Sequence, residues 1–311
     1  LKDRFFIKGK FMKKIATVLA TVIALATSAA MAQPTVNLTG KLNIGAQKTG
    51  DGQTQLVGGA DGADSRVTLS GSENLGAGTK VNFVLETGFK PDTGSLDNTS
   101  NQLFQRQSWV GLSGGFGEVR AGRQYTLGFL GSIGTMPSTF TDPQLAAGLG
   151  FNGLASRNND QIQYWSPALA GVQVGASTQL SGDTSAKTNE VALKYTSGPL
   201  AVNLTTATID NVSGNTVALN AAYDFKVVQL AAGVVDKAGN GTGKGSFVRV
   251  TAPVKSLQVF TGYARNSDTG VNAYDVGAYY ALSKRTRLYA VYGAGNSTVT
   301  DRTAFGIDHN F

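Results

Sequence analysis

The chain offers almost nothing to an enzyme. Among its 311 residues there is one histidine, His309, and no cysteine. A hydrolase built on a nucleophile needs a base beside it, and His309, close to the C-terminus, has no evident partner. Thiol chemistry and His/Cys metal ligation are excluded by counting. The acids are scattered, with no pair that marks a cleft for two-carboxylate hydrolysis. Gly241-Thr242-Gly243 and similar Gly-x-Gly runs fall in turns and do not join a strand to a helix, so they are not nucleotide loops. No cofactor is implied. What the chain does carry is arginine on polar strand faces. Arg66 shares its side with Thr68, Ser70 and Ser72, opposite Val67 and Leu69, and Arg120 and Arg287 fall on the same kind of face. Guanidinium groups fixed beside water act as a source of field rather than as reagents, raising the local anion concentration within the screening length.

The elements that must hold these arginines are read from a two-residue period. In Thr79–Phe89, Val81, Phe83, Leu85 and Phe89 alternate with Lys80, Asn82 and Glu86. In Ala273–Leu282, Tyr274, Val276, Ala278, Tyr280 and Leu282 alternate with Asp275, Gly277 and Tyr279. Such alternation places apolar and polar residues on opposite faces of a strand. Sixteen segments of this kind are expected, at 35–48, 64–74, 79–89, 104–113, 118–127, 160–168, 172–181, 189–197, 200–209, 216–225, 227–237, 246–253, 257–266, 273–283, 286–295 and 302–311. Tight links such as Gly76-Ala77-Gly78 and Ser197-Gly198-Pro199 alternate with longer ones, at 49–63, 90–103, 128–159 and 238–245. An even number of strands of about ten residues, with short turns at one rim and loops at the other, is the pattern of an antiparallel transmembrane β-barrel. A soluble sandwich or barrel also alternates. With sixteen strands, however, it would enclose a large apolar void, whereas polar-in and apolar-out suits a closed barrel in lipid.

Charge and the N-terminus point the same way. Met12-Lys13-Lys14, the apolar run Ile15–Ala26 and the small-x-small site Ala30-Met31-Ala32 follow the order of a secretory signal peptide. The expected organisation is an upstream extension at 1–11, a signal peptide at 12–32 and a barrel at 33–311. Residues 1–32 account for +5 of the formal net charge of +7. The basic balance therefore argues for no nucleic-acid partner.

Several motifs carry a resemblance. They are Ser65-Arg66-x-x-Leu69-x-Gly71-x-Glu73-x-Leu75-Gly76-x-Gly78-x-Lys80; Arg106-Gln107-Ser108-Trp109-Val110-Gly111-Leu112, running on to Gly122-Arg123-Gln124; Arg157-Asn158-Asn159 before Ile162-x-Tyr164-x-Ser166-Pro167; and Leu282-Ser283-Lys284-Arg285-Thr286. Together they resemble the general porins of Gram-negative bacteria, of the type common in β-proteobacteria. The resemblance implies an all-β fold, a transmembrane 16-stranded antiparallel β-barrel with a long third loop folded into the pore, here 128–159. It implies a homotrimer among outer-membrane lipids, inserted by the barrel-assembly machinery through a C-terminal signal ending in Phe311. It also implies that Arg66, Arg106 and Arg157 form a basic cluster on the pore wall, facing that loop.

The expected function is passive diffusion of small hydrophilic solutes and ions across the outer membrane. Asp142 is the one acid between Arg123 and Asp160, so the constriction, with Arg120 as a further candidate, is expected to be weakly anion-selective. The bland alternative for each arginine is pairing with Asp160, Glu73 or Glu86. The alternative for the whole protein is an adhesin or receptor barrel acting through its external loops, which are mostly short and rich in Gly, Ser, Thr and Asn.

Overall fold

A computed structural model describes residues 35–98, 101–135, 156–180, 187–237, 243–296 and 299–311. In chain order the elements are β1 (Thr35–Thr49), β2 (Gln55–Gly58), β3 (Ser65–Gly76), β4 (Thr79–Phe89), β5 (Gln107–Gly114), β6 (Gly117–Tyr125), α1 (Leu127–Thr135), β7 (Arg157–Trp165), β8 (Val172–Gln179), β9 (Thr188–Ser197), β10 (Leu200–Ile209), β11 (Thr216–Asp224), β12 (Gln229–Lys237), β13 (Gly243–Val254), β14 (Leu257–Asn266), β15 (Asn272–Ala281), β16 (Thr286–Gly295) and β17 (Arg302–Asn310). The signal-peptide segment and Asp142 lie outside the described residues.

Each barrel strand pairs antiparallel with its neighbour in sequence, and β17 closes onto β1 from Lys41–Asn310 to Thr49–Arg302. Closure leaves no open sheet edge, the condition for strands in a hydrocarbon layer that offers backbone groups no water. The alternation sets which face looks where. On β9, Val191 and Leu193 are exposed on the outside, while Glu190 and Ala192 are buried on the inside. On β15, Tyr274, Val276 and Tyr280 face out, and Asp275 and Tyr279 face in. The polar inner faces pair with one another, as where Arg249 donates to Asp275 at 3.1 Å. At one rim the turns are tight. Gly76, Ala77 and Gly78 all have positive φ, letting β3 reverse directly into β4.

All sixteen expected strands are present, with ends moved by a few residues. Beyond them, the connection 49–63 contains β2. The first half of β1 pairs with β3, and its second half, from Ile44 to Gln47, pairs with β2. A short strand from the first long connection thus completes the wall where β3 has not yet begun. The register of β6 against β7 shifts between Gly122 and Gln124. At this bulge, Asp160 adopts φ +49°. The extra residue is on β7, where Asn159 and Asp160 stand against Arg123 alone, so Arg123 keeps the opposite parity from Arg120 along β6. The long connection opens as a helix, α1, which the strand pattern did not announce.

Candidate pore constriction

Arg66 at the start of β3, Arg106 just before β5, Arg123 near the end of β6 and Arg157 at the start of β7 converge at the rim that carries the long connections. Glu86 of β4 is the centre of the group and is almost fully buried. It accepts from Arg106 Nε at 2.8 Å and from Thr68 Oγ1 at 2.9 Å, with Arg66 Nε at 3.8 Å. Arg106 Nη1 also donates to Asp64 Oδ2 at 2.8 Å. Tyr125, the last residue of β6, joins the two halves. Its hydroxyl oxygen accepts from Arg106 Nη2 at 3.1 Å and from Arg157 Nη2 at 2.9 Å. The Arg157 guanidinium lies 4.4 Å above its ring, a cation–π contact. Arg123 Nη1 donates to Asn159 Oδ1 at 2.6 Å across the bulge.

These arginines are therefore not equivalent. Arg106 is buried and held between two carboxylates. Arg66 keeps 34% of its side chain exposed and has its nearest carboxylate at the longer distance. Arg157 has no carboxylate within ion-pair reach among the described residues. Pairing with Glu86 thus applies fully to Arg106, weakly to Arg66 and not to Arg157. In the adjoining connection, burial and the nearby Asp64 hold the Asp97 carboxyl above the ordinary aspartate range.

The helix α1 stands on the inner wall beside this group. It contacts β8 to β11, and the residues it meets, Glu190, Asn203 and Asn220, belong to their buried inner faces. Thr126 Oγ1 caps the helix by accepting from Phe129 N at 3.1 Å. Glu190 reaches across from β9 and accepts from Leu127 N at 2.9 Å and Gly128 N at 3.1 Å. A carboxylate at unpaired N-terminal amides meets both their hydrogen-bonding need and the helix dipole. Gly131 is pressed against the Asn203 side chain, where a β-carbon would overlap it. Tyr125 stacks on Phe129 with 4.8 Å between ring centroids, tying the helix to the arginine group.

The other expected site residues sit elsewhere. Arg120 faces inward but lies five positions before Tyr125 on β6, toward the tight-turn rim. It is paired with Glu118 at 2.6 Å and stacked 4.4 Å over Trp109. Arg287 belongs to a second inner cluster on β1, β16 and β17, where Asp308 binds both Lys41 at 2.7 Å and Arg287 at 2.8 Å. Arg287 also lies 3.8 Å from the Tyr279 ring centroid. Phe311 exchanges two backbone hydrogen bonds with Gly40, extending the β17–β1 pairing to the last residue. Sequence alone does not mark Tyr125, Asp64 and Glu190 for these roles. Parity put Glu190 on an inner face, but its partner is a helix that strand alternation does not reveal.

A closed barrel of sixteen strands, apolar outside, polar inside and carrying a helix on its inner wall, defines an outer-membrane channel. The chain belongs to the Gram-negative porin family, whose model matches residues 19–300, and it is a multi-pass protein of the outer membrane. It is 31% identical to outer membrane porin protein 32 of Delftia acidovorans over 89% of this chain and 88% of that one. It is 27% identical to an outer membrane porin protein of Bordetella pertussis over 74% and 76% of the two chains. Its fold matches the anion-selective porin from Comamonas acidovorans with a TM-score of 0.73 and 24% identity, over 90% of this chain and all of that one. The trimer form of OmpT from Vibrio cholerae matches with a TM-score of 0.71 and 16% identity, over 89% and 99%.

Proposed function

We propose that this porin is a weakly anion-selective diffusion channel for small hydrophilic solutes and ions, with Arg66, Arg106 and Arg157 on the wall of its constriction. In this reading the connection 128–159, of which residues 136–155 lie outside the described part, narrows the pore opposite them, and its single acid, Asp142, adds little to the carboxylates that already pair Arg106. The observation that carries this reading is Arg157, a guanidinium held on Tyr125 with no carboxylate partner among the described residues. Such a charge in a water-filled passage with low-dielectric walls concentrates anions. The Comamonas acidovorans porin of the same fold, described as anion-selective, supports it. Assembly as a homotrimer is part of the same reading, supported by the trimer form of the Vibrio cholerae protein, as is insertion by the barrel-assembly machinery through Phe311.

Single-channel recording in a planar bilayer under a KCl gradient tests it. The expected result is stepwise conductance, in threes, with a reversal potential on the chloride side. Arg66→Gln with Arg157→Gln should move that potential toward potassium. A wild-type potential on the potassium side would leave the porin intact and remove this constriction.

A further inference from the structure

Inside the barrel, between α1 and the tight-turn rim, the inner wall of β6 to β10 is hollowed into a recess of about 440 Å³. That is within the size range of small-molecule sites. It is distinct from the arginine group at the opposite end of β6. Its lining is mixed in a way that water passage alone does not require. Trp165 forms one side. Its six-membered ring lies against Gly175 of the neighbouring strand, where a β-carbon would meet it at 2.8 Å, so the ring is laid along the wall. Leu130 of α1 and Pro167 extend this apolar surface. Arg120 and Lys194 bring two positive charges, and Glu118 brings one negative charge, already bound to Arg120 at 2.6 Å. Lys194, on the inner face of β9 opposite Gln173 and Asn203, has no carboxylate within ion-pair distance among the described residues. Asn203, 1% exposed and packed under Gly131, closes the recess on the helix side.

We propose that this recess is a solute-binding site for a small aromatic carboxylate. The net charge of the lining is one positive unit, which a monoanion neutralises. The carboxylate takes the Lys194 ammonium and the exposed edge of the Arg120 guanidinium. The planar body lies on Trp165, because offset stacking on an indole favours a flat ring over a short aliphatic chain, which gains only its small contact area. The site lies on the tight-turn side of the helix, where a solute that has passed the arginine group arrives. It would delay such a solute by a weak, reversible stop.

The test uses the full barrel in a planar bilayer, with 4-hydroxybenzoate as probe and acetate as a carboxylate of equal charge without a ring. The expected result is concentration-dependent interruption of the KCl current by 4-hydroxybenzoate and none by acetate at equal concentration. Lys194→Gln should raise the half-blocking concentration about tenfold, as should Trp165→Leu, with KCl conductance retained. Since the probe is read against a working KCl current, a channel that conducts but treats the two acids alike overturns the site and leaves the porin standing. Block by 4-hydroxybenzoate that survives both substitutions unchanged also overturns it, by locating the stop elsewhere in the pore.

Discussion

Arg106 and Arg157 carry the same side chain to opposite ends of an energetic scale. Arg106 is enclosed by Glu86, Asp64 and Tyr125, so its charge is spent in holding the wall together. Arg106→Gln leaves Glu86 buried beside a weaker partner. Breaking a buried pair costs about 3 kcal/mol or more, so this variant should lose denaturant resistance of the folded barrel more than it loses selectivity. Arg157→Gln should do the reverse, shifting the KCl reversal potential toward potassium with little change in the unfolding midpoint. Asp97 gives the cluster a pH dependence. Its carboxyl is raised from the ordinary 3.8 by burial and by Asp64, so on acidification it is neutralised before an ordinary aspartate. Chloride preference should therefore begin to grow above that pH, and Asp97→Asn should abolish this early rise while starting from a higher preference at neutral pH. The linkage sign is that of an acid with raised native pKa. The folded state binds the proton more tightly than the unfolded chain. The contribution of Asp97 to stability therefore falls as pH rises from 3.8 through its native pKa, and Asp97→Asn should be neutral or stabilising at pH 7, read by denaturant titration.

At the scale of elements, α1 is a short helix that gains nothing from length. A helix of nine residues is marginal alone in water. Its order comes from the wall: Glu190 at its first amides, Ser132 near Asn220, and Gly131 allowing the backbone down onto Asn203. Glu190→Ala removes both acceptors at once, and hydrogen bonds to a charged group are worth about 1.5–3 kcal/mol each. The expected outcome is a channel of unchanged strand content by circular dichroism, with noisier and larger single-channel openings. An unchanged current trace would mean that the helix is held by its glycine face alone. The bulge where β6 meets β7 works at the same scale. By slipping the register past Gly122 it brings Arg123 to Asn159 and Tyr125 opposite Arg157, and so assembles the arginine group from strands whose parity alone would separate them.

At the scale of the molecule, the barrel is a single circuit of hydrogen bonds, and its seam is β1 against β17. Phe311 adds two backbone hydrogen bonds to that seam, at 2.9 Å and 3.0 Å with Gly40. At about 1 kcal/mol net for each, deletion of Phe311 should lower the fraction of heat-modifiable folded barrel on gel electrophoresis without abolishing it in vitro. A larger loss during expression in cells than in refolding would separate a role in assembly from one in stability. The second inner cluster, Lys41, Asp308 and Arg287, lies along the same seam. Asp61, 4.0 Å from Arg287, supplies the second negative charge, so the cluster is balanced and its place is in closure more than in the field of the pore.

Strand number, the side each residue faces and the inward direction of Arg66 and Arg120 follow from sequence alone, because a two-residue period leaves each side chain one of two faces and lipid outside with water inside decides between them. The leader pattern and the scarcity of reactive side chains are likewise properties of the chain. Which arginines act together is not. Arg66, Arg106 and Arg157 come from separate strands, and whether a guanidinium is paired or free depends on where Glu86, Asp64 and Tyr125 stand across the wall. The same holds for Glu190 and α1, for β2 and for the bulge. Each is fixed by a contact between segments far apart in sequence, and local alternation carries no information about such contacts. The sequence by itself determined a barrel and its two faces. Only the tertiary structure decided which of its inward charges remain available to a passing anion.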